Sequence, residues 1–158
     1  MLVEQVLPGQ KLPPELPVRP GEASVVKTAQ GRVTVDIGAG FNLGNDGEYD
    51  LIVIVENDSK QLWGGTIAPV RLCYHWFDQE GGRVIFDGIR TELPDEGIGP
   101  GEKEKLNMRI KMPDCSGTYK LQLTIVQEYF SWFEKIGLEA CWLLVDYVEG
   151  SDPSFKIL

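Results

Sequence analysis

Residues 119–125 read Tyr-Lys-Leu-Gln-Leu-Thr-Ile, and this stretch decides the fold class because it is the most regular alternation in the chain. Every odd-numbered residue is apolar and every even-numbered residue is polar. A period of two places alternate side chains on opposite faces of a β-strand. The stretch therefore predicts a strand with one face in a hydrophobic core and one face toward polar surroundings.

The same pattern recurs on both sides of this strand. Residues 106–112 alternate apolar and polar side chains, and residues 69–78 place Leu72, Tyr74 and Trp76 on one face. Residues 49–57 are so rich in β-branched side chains that we expect a strand buried on both faces, or nearly so. The other strands that we predict are 33–37, 83–87, 89–93 and 139–148.

Turn residues separate these strands at short intervals. A glycine-rich loop is predicted over 38–47, a tight hairpin connection over 79–82, and a bulge or bend at Gly88. No segment of ten residues sustains a helical period, and only 126–136 could hold an aromatic loop or a single helical turn. About eight short strands with such spacing predict an all-β sandwich or barrel.

Length and charge limit the classes of function. The 158 residues are enough for one domain with its own core, and the formal net charge is −9. Binding to a nucleic-acid backbone needs clustered Lys and Arg, which the chain lacks, so we predict no nucleic-acid partner. No apolar run approaches the roughly 20 residues that a membrane-spanning helix needs, so we predict no membrane insertion.

The termini and cysteines indicate the compartment and the domain boundaries. Residues 1–24 contain five prolines and are predicted to be a Pro-rich arm or linker before a β-sandwich domain over 25–158. The N-terminus does not resemble a secretory signal. Three scattered cysteines, Cys73, Cys115 and Cys141, are typical of reduced thiols, which favours a cytoplasmic protein; a Cys73–Cys141 disulfide is the disfavoured alternative.

Residues suited to catalysis are few. The single histidine, His75, lies in a predicted strand near Cys73, and we interpret it as a surface or hydrogen-bonded strand residue rather than a catalytic base. Acidic residues near aromatics could form a carboxylate pair, but such residues are abundant in any acidic chain. No metal-ligand spacing or phosphate-binding loop occurs, so we predict no enzyme activity, no metal and no cofactor.

Aromatic residues near turns are the main indication of a ligand. Aromatic faces flanked by polar groups suit sugar rings, and the candidate ligand-binding residues are Trp63, Arg90, Glu128, Tyr129 and Trp132. For Trp63 and Trp132, a core position and an exposed platform are both open at this point. Arg90 and Glu128 are interpreted either as an ion pair that joins two loops or as a pair that binds ligand.

A run of motifs over 49–137 resembles a bacterial accessory domain. The motifs are Asn57, Trp63, Tyr74-His75-Trp76, Gly88 with Arg90-Thr91, Pro100-Gly101, Gly117 with Tyr119, and Trp132-Phe133. Such domains are often attached to methyltransferases or glycosyltransferases of surface-polysaccharide gene clusters. The resemblance implies an immunoglobulin-like antiparallel β-sandwich. The chain departs from the pattern at 127–130, where a Glu-Gly pair is usual and Tyr129 stands in place of glycine.

The loop aromatics and the Pro-rich arm indicate two classes of function, and the resemblance provides the bacterial setting. The first is a non-catalytic accessory module that recognises glycan in bacterial surface-polysaccharide metabolism. By architecture alone the chain is distantly similar to the carbohydrate-binding domain of O-antigen exporter ATPases. The alternative is a structural or protein–protein interaction domain, which would pair as a homodimer or with a partner enzyme through a sheet edge or the proline arm.

Overall fold

The computed structural model describes residues 25–39, 41–43, 47–64 and 68–158. The predicted Pro-rich arm, residues 1–24, lies outside these described residues. In chain order the strands are β1 Gly31–Val35, β2 Phe41–Leu43, β3 Glu48–Asn57, β4 Val70–Phe77, β5 Arg83–Ile85, β6 Thr91–Glu92, β7 Lys103–Lys111, β8 Gly117–Gln127, β9 Ser131–Trp132, β10 Leu138–Glu139, β11 Cys141–Tyr147 and β12 Ser154–Ile157. Single 3₁₀ turns occupy Ile37–Ala39 and Phe133–Lys135.

The strands form two sheets. In the first sheet β3 is central, with β7 on one side and both β1 and β2 on the other, and β10 pairs with β1. The second sheet runs β12-β11-β8-β4, with β5 and β6 along the outer edge of β4 and β9 beside the end of β8. The all-β sandwich expected from the sequence is confirmed. The β1–β10 pair is parallel, which departs from a wholly antiparallel arrangement.

The core lies between the sheets and contains the predicted apolar faces. Tyr119, Leu121, Leu123 and Ile125 of β8 are buried there with Leu72, Tyr74 and Trp76 of β4. From the first sheet come Met108 and Ile110 of β7, followed by Met112 just after the strand. Leu106 is half-buried, because no described strand lies beside that part of β7.

Several local predictions differ from the structure. Residues 49–57 are not buried on both faces, because Ile52 and Ile54 lie half-buried on the outer face of the first sheet, where no described element covers them. Ile37 lies in a 3₁₀ turn, not in a strand. The loop predicted over 38–47 contains the short strand β2, which pairs with β3, and β12 was not predicted.

A tyrosine holds the turn that leads into β8. The Tyr119 hydroxyl donates a hydrogen bond of 2.7 Å to the carbonyl oxygen of Cys115, four residues upstream. Immunoglobulin-like sandwiches share this arrangement, known as a tyrosine corner. The contact anchors the 112–117 turn to the strand that it precedes.

Two further predictions concern cysteines and membranes. All three cysteines are free, so the disfavoured Cys73–Cys141 disulfide does not form. Within the described ranges, no helix has the length and apolar character needed to span a bilayer.

Candidate functional site

Two loops cover the outer face of the second sheet and build the candidate site. One loop leads from β5 to β6, and the other follows β8 and includes β9 and the second 3₁₀ turn. Gly88 lets the first loop pass close to β4, because a Cβ at this position would lie 2.6 Å from the Tyr74 ring. The close contact therefore requires a glycine at the position where the bend was predicted.

His75 lies at the centre of the covered face. Its side chain projects from β4 away from the main core, yet its exposure is 0%. The imidazole stacks on Phe86 at 3.8 Å between ring centroids and meets the edge of Trp132 at 4.6 Å. The interpretation of His75 as a surface residue is wrong, because the two loops cover this face.

Hydrogen bonds occupy both nitrogens of His75. Nδ1 donates to the carbonyl oxygen of Phe86, and Nε2 lies 2.9 Å from Oε2 of Glu134. Thr124 donates from its hydroxyl to the other carboxylate oxygen of Glu134 at 2.7 Å. The interpretation of His75 as a hydrogen-bonded strand residue is confirmed, and neither ring nitrogen is open to a substrate in this arrangement.

The carboxyl group of Glu134 is held in its ionised form. Burial by itself raises the pKa of Glu134, but the hydrogen bonds from His75 and Thr124 outweigh this effect. The pKa of Glu134 therefore lies below its ordinary value of 4.5. The 3₁₀ turn is tied to the sheet by a charge-assisted hydrogen bond in a largely buried setting.

Cys73 lies beside His75 on the same face, but its thiol is not activated. Arg90 donates from Nη1 to Sγ at 3.0 Å, and the carbonyl oxygen of Gly88 lies 3.3 Å from Sγ. Burial dominates over the nearby guanidinium and raises the pKa of Cys73 to about 11. A thiol with this pKa remains protonated near neutrality, which is unsuited to nucleophilic catalysis.

A network of charged side chains joins the two loops. Arg90 binds Glu128 through two hydrogen bonds of 2.7 and 3.2 Å, and Arg71 reaches the same carboxylate at 3.4 Å. Asp87 accepts a further bond from Arg90 at 2.5 Å. The hydrogen bond from Arg90 has the largest effect on the pKa of Glu128 and lowers it, while partial burial raises it. The pKa of Glu128 therefore lies below its ordinary value. The predicted Arg90–Glu128 ion pair is thus present and joins the loops.

An open cleft of about 230 Å³ lies beside this ion pair. Trp132 forms part of its wall and lies 5.5 Å below the guanidinium of Arg90, in a cation–π contact. Tyr129 and Phe130 stand on its rim as exposed aromatics. Ser131 also lines the cleft, but its hydroxyl oxygen is buried and has no hydrogen-bond partner among the described residues. The cleft therefore combines aromatic surface with charged groups.

Tyr129 is the most unusual residue of the cleft. It has a φ of 71°, the only positive φ of a non-glycine residue in the described part of the chain. Its side chain is 96% exposed at the tip of the β8–β9 hairpin. Left-handed backbone costs a non-glycine residue free energy, and such strain clusters at functional sites. The accessory-domain pattern has glycine here, which would adopt this conformation without strain.

The structure separates the fifth candidate, Trp63, from the other four. Trp63 is 0% exposed, packs edge-on against Phe133 at 5.3 Å, and lies between the sheets. The interpretation of Trp63 as an exposed platform is wrong. Its backbone pairs with that of Ile98, where Gly64 and Gly97 allow the two segments to approach closely.

The candidates Arg90, Glu128, Tyr129 and Trp132 do share one cleft, and Trp132 is half-buried in its wall. Sequence reasoning did not place Phe130 or Ser131 there. No group of three or more acidic, histidine or cysteine side chains in the described ranges has the arrangement of a metal site. No protein-family model matches the chain, and no curated protein matches its sequence. The resemblance to bacterial accessory domains therefore stays a prediction.

Proposed function

We propose that this domain is a non-catalytic accessory module that binds glycan in the cleft beside Tyr129. The observation that carries the proposal is a fully exposed aromatic ring held in strained backbone at the rim of a polar cleft. Folding gains nothing from exposing this ring, whereas a ring that is free on one face can stack on a sugar.

Polar groups around the ring suit sugar hydroxyls. Asp87 offers an exposed carboxylate at the edge of the cleft. Arg90 and Glu128 form the floor, where their mutual hydrogen bonds hold both side chains in place. Because the chain carries a net charge of −9, neutral or amino sugars are better suited to the site than acidic ones. The proposed setting is cytoplasmic surface-polysaccharide metabolism in a bacterium.

Replacing Tyr129 by glycine is expected to weaken glycan binding by about tenfold or more, since one stacking contact is lost. The Tm should not fall, because glycine relieves the left-handed strain at φ 71°. Binding is measured on an array of bacterial surface polysaccharides, followed by titration of the best ligand while tryptophan fluorescence is monitored.

Matched variants identify the site. Tyr129→Phe should retain binding, because it keeps the ring. Trp142→Ala removes a partly exposed aromatic from another part of the surface and should leave binding unchanged. If no polysaccharide or simple sugar binds at millimolar concentration, or if Tyr129→Gly binds as tightly as the parent protein, the proposal is wrong.

Self-association is a second candidate function, favoured by a separate apolar surface. Ile157 and Leu158 are exposed beside Trp142, around a cleft of about 350 Å³ between β1 and the β11–β12 hairpin. Apolar side chains grouped in this way often mark an interface. A dimer built on this surface would not require the Tyr129 cleft.

Light scattering tests this candidate. If the surface joins two copies, Ile157→Glu should convert a dimer to a monomer, because it would bury a charge without a partner. Lys156→Glu, a charge change on the neighbouring residue, is the control. A parent protein that is monomeric at every concentration tested would exclude self-association as the function.

A further inference from the structure

β7 is an edge strand of the first sheet. Along its N-terminal half, only the side of β7 that faces β3 is paired with another strand. Its ladder to β3 continues beyond both ends, since Asn57 donates to the carbonyl of Glu102 and Met112 donates to that of Gly47. The even-numbered residues from Glu102 to Met112 therefore direct their backbone N–H and C=O groups toward β3. In an antiparallel strand the peptide groups of the other residues point the opposite way, so the odd-numbered residues direct theirs away from β3.

The second sheet satisfies these outward groups only at the C-terminal half of β7. The N–H of Lys111 bonds the Tyr74 hydroxyl at 3.0 Å, and its carbonyl accepts from Trp76 Nε1 at 2.9 Å. The N–H of Arg109 bonds the hydroxyl of Thr91 at 3.1 Å. No described residue bonds the outward peptide groups over 103–107, which we call the open edge.

The open edge is basic on its exposed face. The odd-numbered side chains of β7 are exposed. Four of these five side chains are cationic, namely Lys103, Lys105, Arg109 and Lys111, and the fifth is Asn107. The adjacent row on β3 is acidic at its ends, where Asp50 binds Arg109 at 2.8 Å. Lys105 reaches Asp36 at 3.4 Å, while Lys103 has no ion-pair partner among the described residues.

Charge determines which strand can pair here. A second copy of β7 in antiparallel pairing would place basic side chains opposite basic ones, which is destabilising. A strand with Asp or Glu on this face would instead continue the alternation of acidic and basic rows. On the inner face, the half-buried Leu106 would pack against an apolar side chain of the incoming strand.

The surface beyond the open edge leaves room for a longer segment. Beside the C-terminal half of β7 there is an open groove of about 510 Å³, lined by Glu48, Asp50, Ile89, Arg90, Thr91, Asn107 and Arg109. Both carboxylates of this groove are bound by Arg109. We propose that the open edge binds an extended protein segment in which acidic and apolar residues alternate, so that the segment adds a strand to the first sheet. Backbone hydrogen bonds to residues 103–107 would provide affinity, and the alternating side chains would provide specificity.

A peptide pair tests this proposal on the full chain. One fluorescein-labelled peptide alternates four Glu with three Val, and the other has the same composition with the Glu residues in one block. We expect the alternating peptide to bind more tightly by about tenfold or more in fluorescence anisotropy. Its affinity should fall as salt is added, because exposed charges contribute.

Two variants of the edge address the backbone and the charge separately. Asn107→Pro removes an outward N–H, and proline is tolerated at a strand edge. The double variant Lys103→Glu, Lys105→Glu reverses the charge without changing the backbone. Each should weaken binding by about tenfold or more. The matched control is Lys120→Glu, Lys156→Glu, which makes the same charge change on the second sheet.

Three results would overturn the proposal: no binding of the alternating peptide at millimolar concentration, equal binding of the block peptide, or full affinity in both edge variants. Tyr129→Gly should leave peptide binding unchanged, because Tyr129 belongs to the second-sheet cleft. The peptide-binding proposal and the glycan-binding proposal can therefore be refuted separately.

Discussion

Replacing Glu134 by leucine is expected to lower the free energy of unfolding by about 3–5 kcal/mol, since it removes one partner of a buried, charge-assisted pair. His75 would keep its bond to the Phe86 carbonyl and lose the partner of Nε2. Thr124 would lose the acceptor of its hydroxyl. Urea unfolding followed by circular dichroism measures the change, and a fall in Tm of about 10 °C should accompany it.

Two control variants separate the hydrogen bonds from the charge. Glutamine at 134 can accept from His75 Nε2 through its amide oxygen and donate from its amide nitrogen to the Thr124 hydroxyl, so Glu134→Gln should cost only about 1 kcal/mol. Glu139→Leu changes a carboxylate that is 75% exposed, and its effect should stay within about 0.5 kcal/mol. If Glu134→Leu proved as mild as Glu139→Leu, the buried pair would have no structural role.

The same pair predicts an acid dependence. Because the pKa of Glu134 is lowered in the folded state, its contribution to stability is present above the ordinary value of 4.5. That contribution is lost as the pH falls through the folded-state pKa. The stability difference between the parent protein and Glu134→Gln should therefore shrink with acidification below pH 4.5. A difference that grows in acid would contradict the assignment.

Replacing Trp63 by alanine is expected to destabilise the domain by about 3–5 kcal/mol, because it leaves a large cavity between the sheets. The indole is fully buried and packs against Phe133. It also packs against the first sheet, where a Cβ at Gly31 would lie 2.7 Å from its ring. Because the free energy of unfolding of a native domain is only about 5–15 kcal/mol, this substitution would remove a large part of it. Thermal and urea unfolding provide the measurement.

Trp63→Phe separates the ring from its polar atom. The Nε1 of Trp63 is buried without a hydrogen-bond partner among the described residues. Phenylalanine removes that unpaired donor and leaves a smaller cavity, so its cost should be well below that of alanine. Glycan binding should be retained, since Trp63 lies outside the cleft. If Trp63→Phe lost glycan binding while its Tm stayed unchanged, Trp63 would belong to the ligand site after all.

Strands with one buried face were predictable, whereas several short strands were not. The alternation over 106–112 and 119–125 is long enough to show a period of two, so it indicates a strand whatever the neighbouring segments are. The short strands β2, β9 and β12 were not predicted, since none of them shows a clear period. They are strands because β3, β8 and β11 offer backbone partners at those positions.

The site was predictable in its residue types but not in its burial. Arg90, Glu128, Tyr129 and Trp132 were identified by charge and aromatic character, and they do converge. Trp63 has the same character but lies in the core, because exposure depends on which loops cover a position. For the same reason no local pattern placed His75 under two loops or paired it with Glu134, 59 residues away.

The amino-acid sequence by itself determined the all-β class, the inward faces of the long strands and the residue types available for binding, because side-chain periodicity and composition are local properties. Only the tertiary structure decided that the outer face of the second sheet forms a covered cluster around His75, that Tyr129 stands strained and exposed above a cleft, and that residues 103–107 form an open edge. Burial, strain and edge position depend on contacts between residues distant in the chain, which alternation alone does not specify.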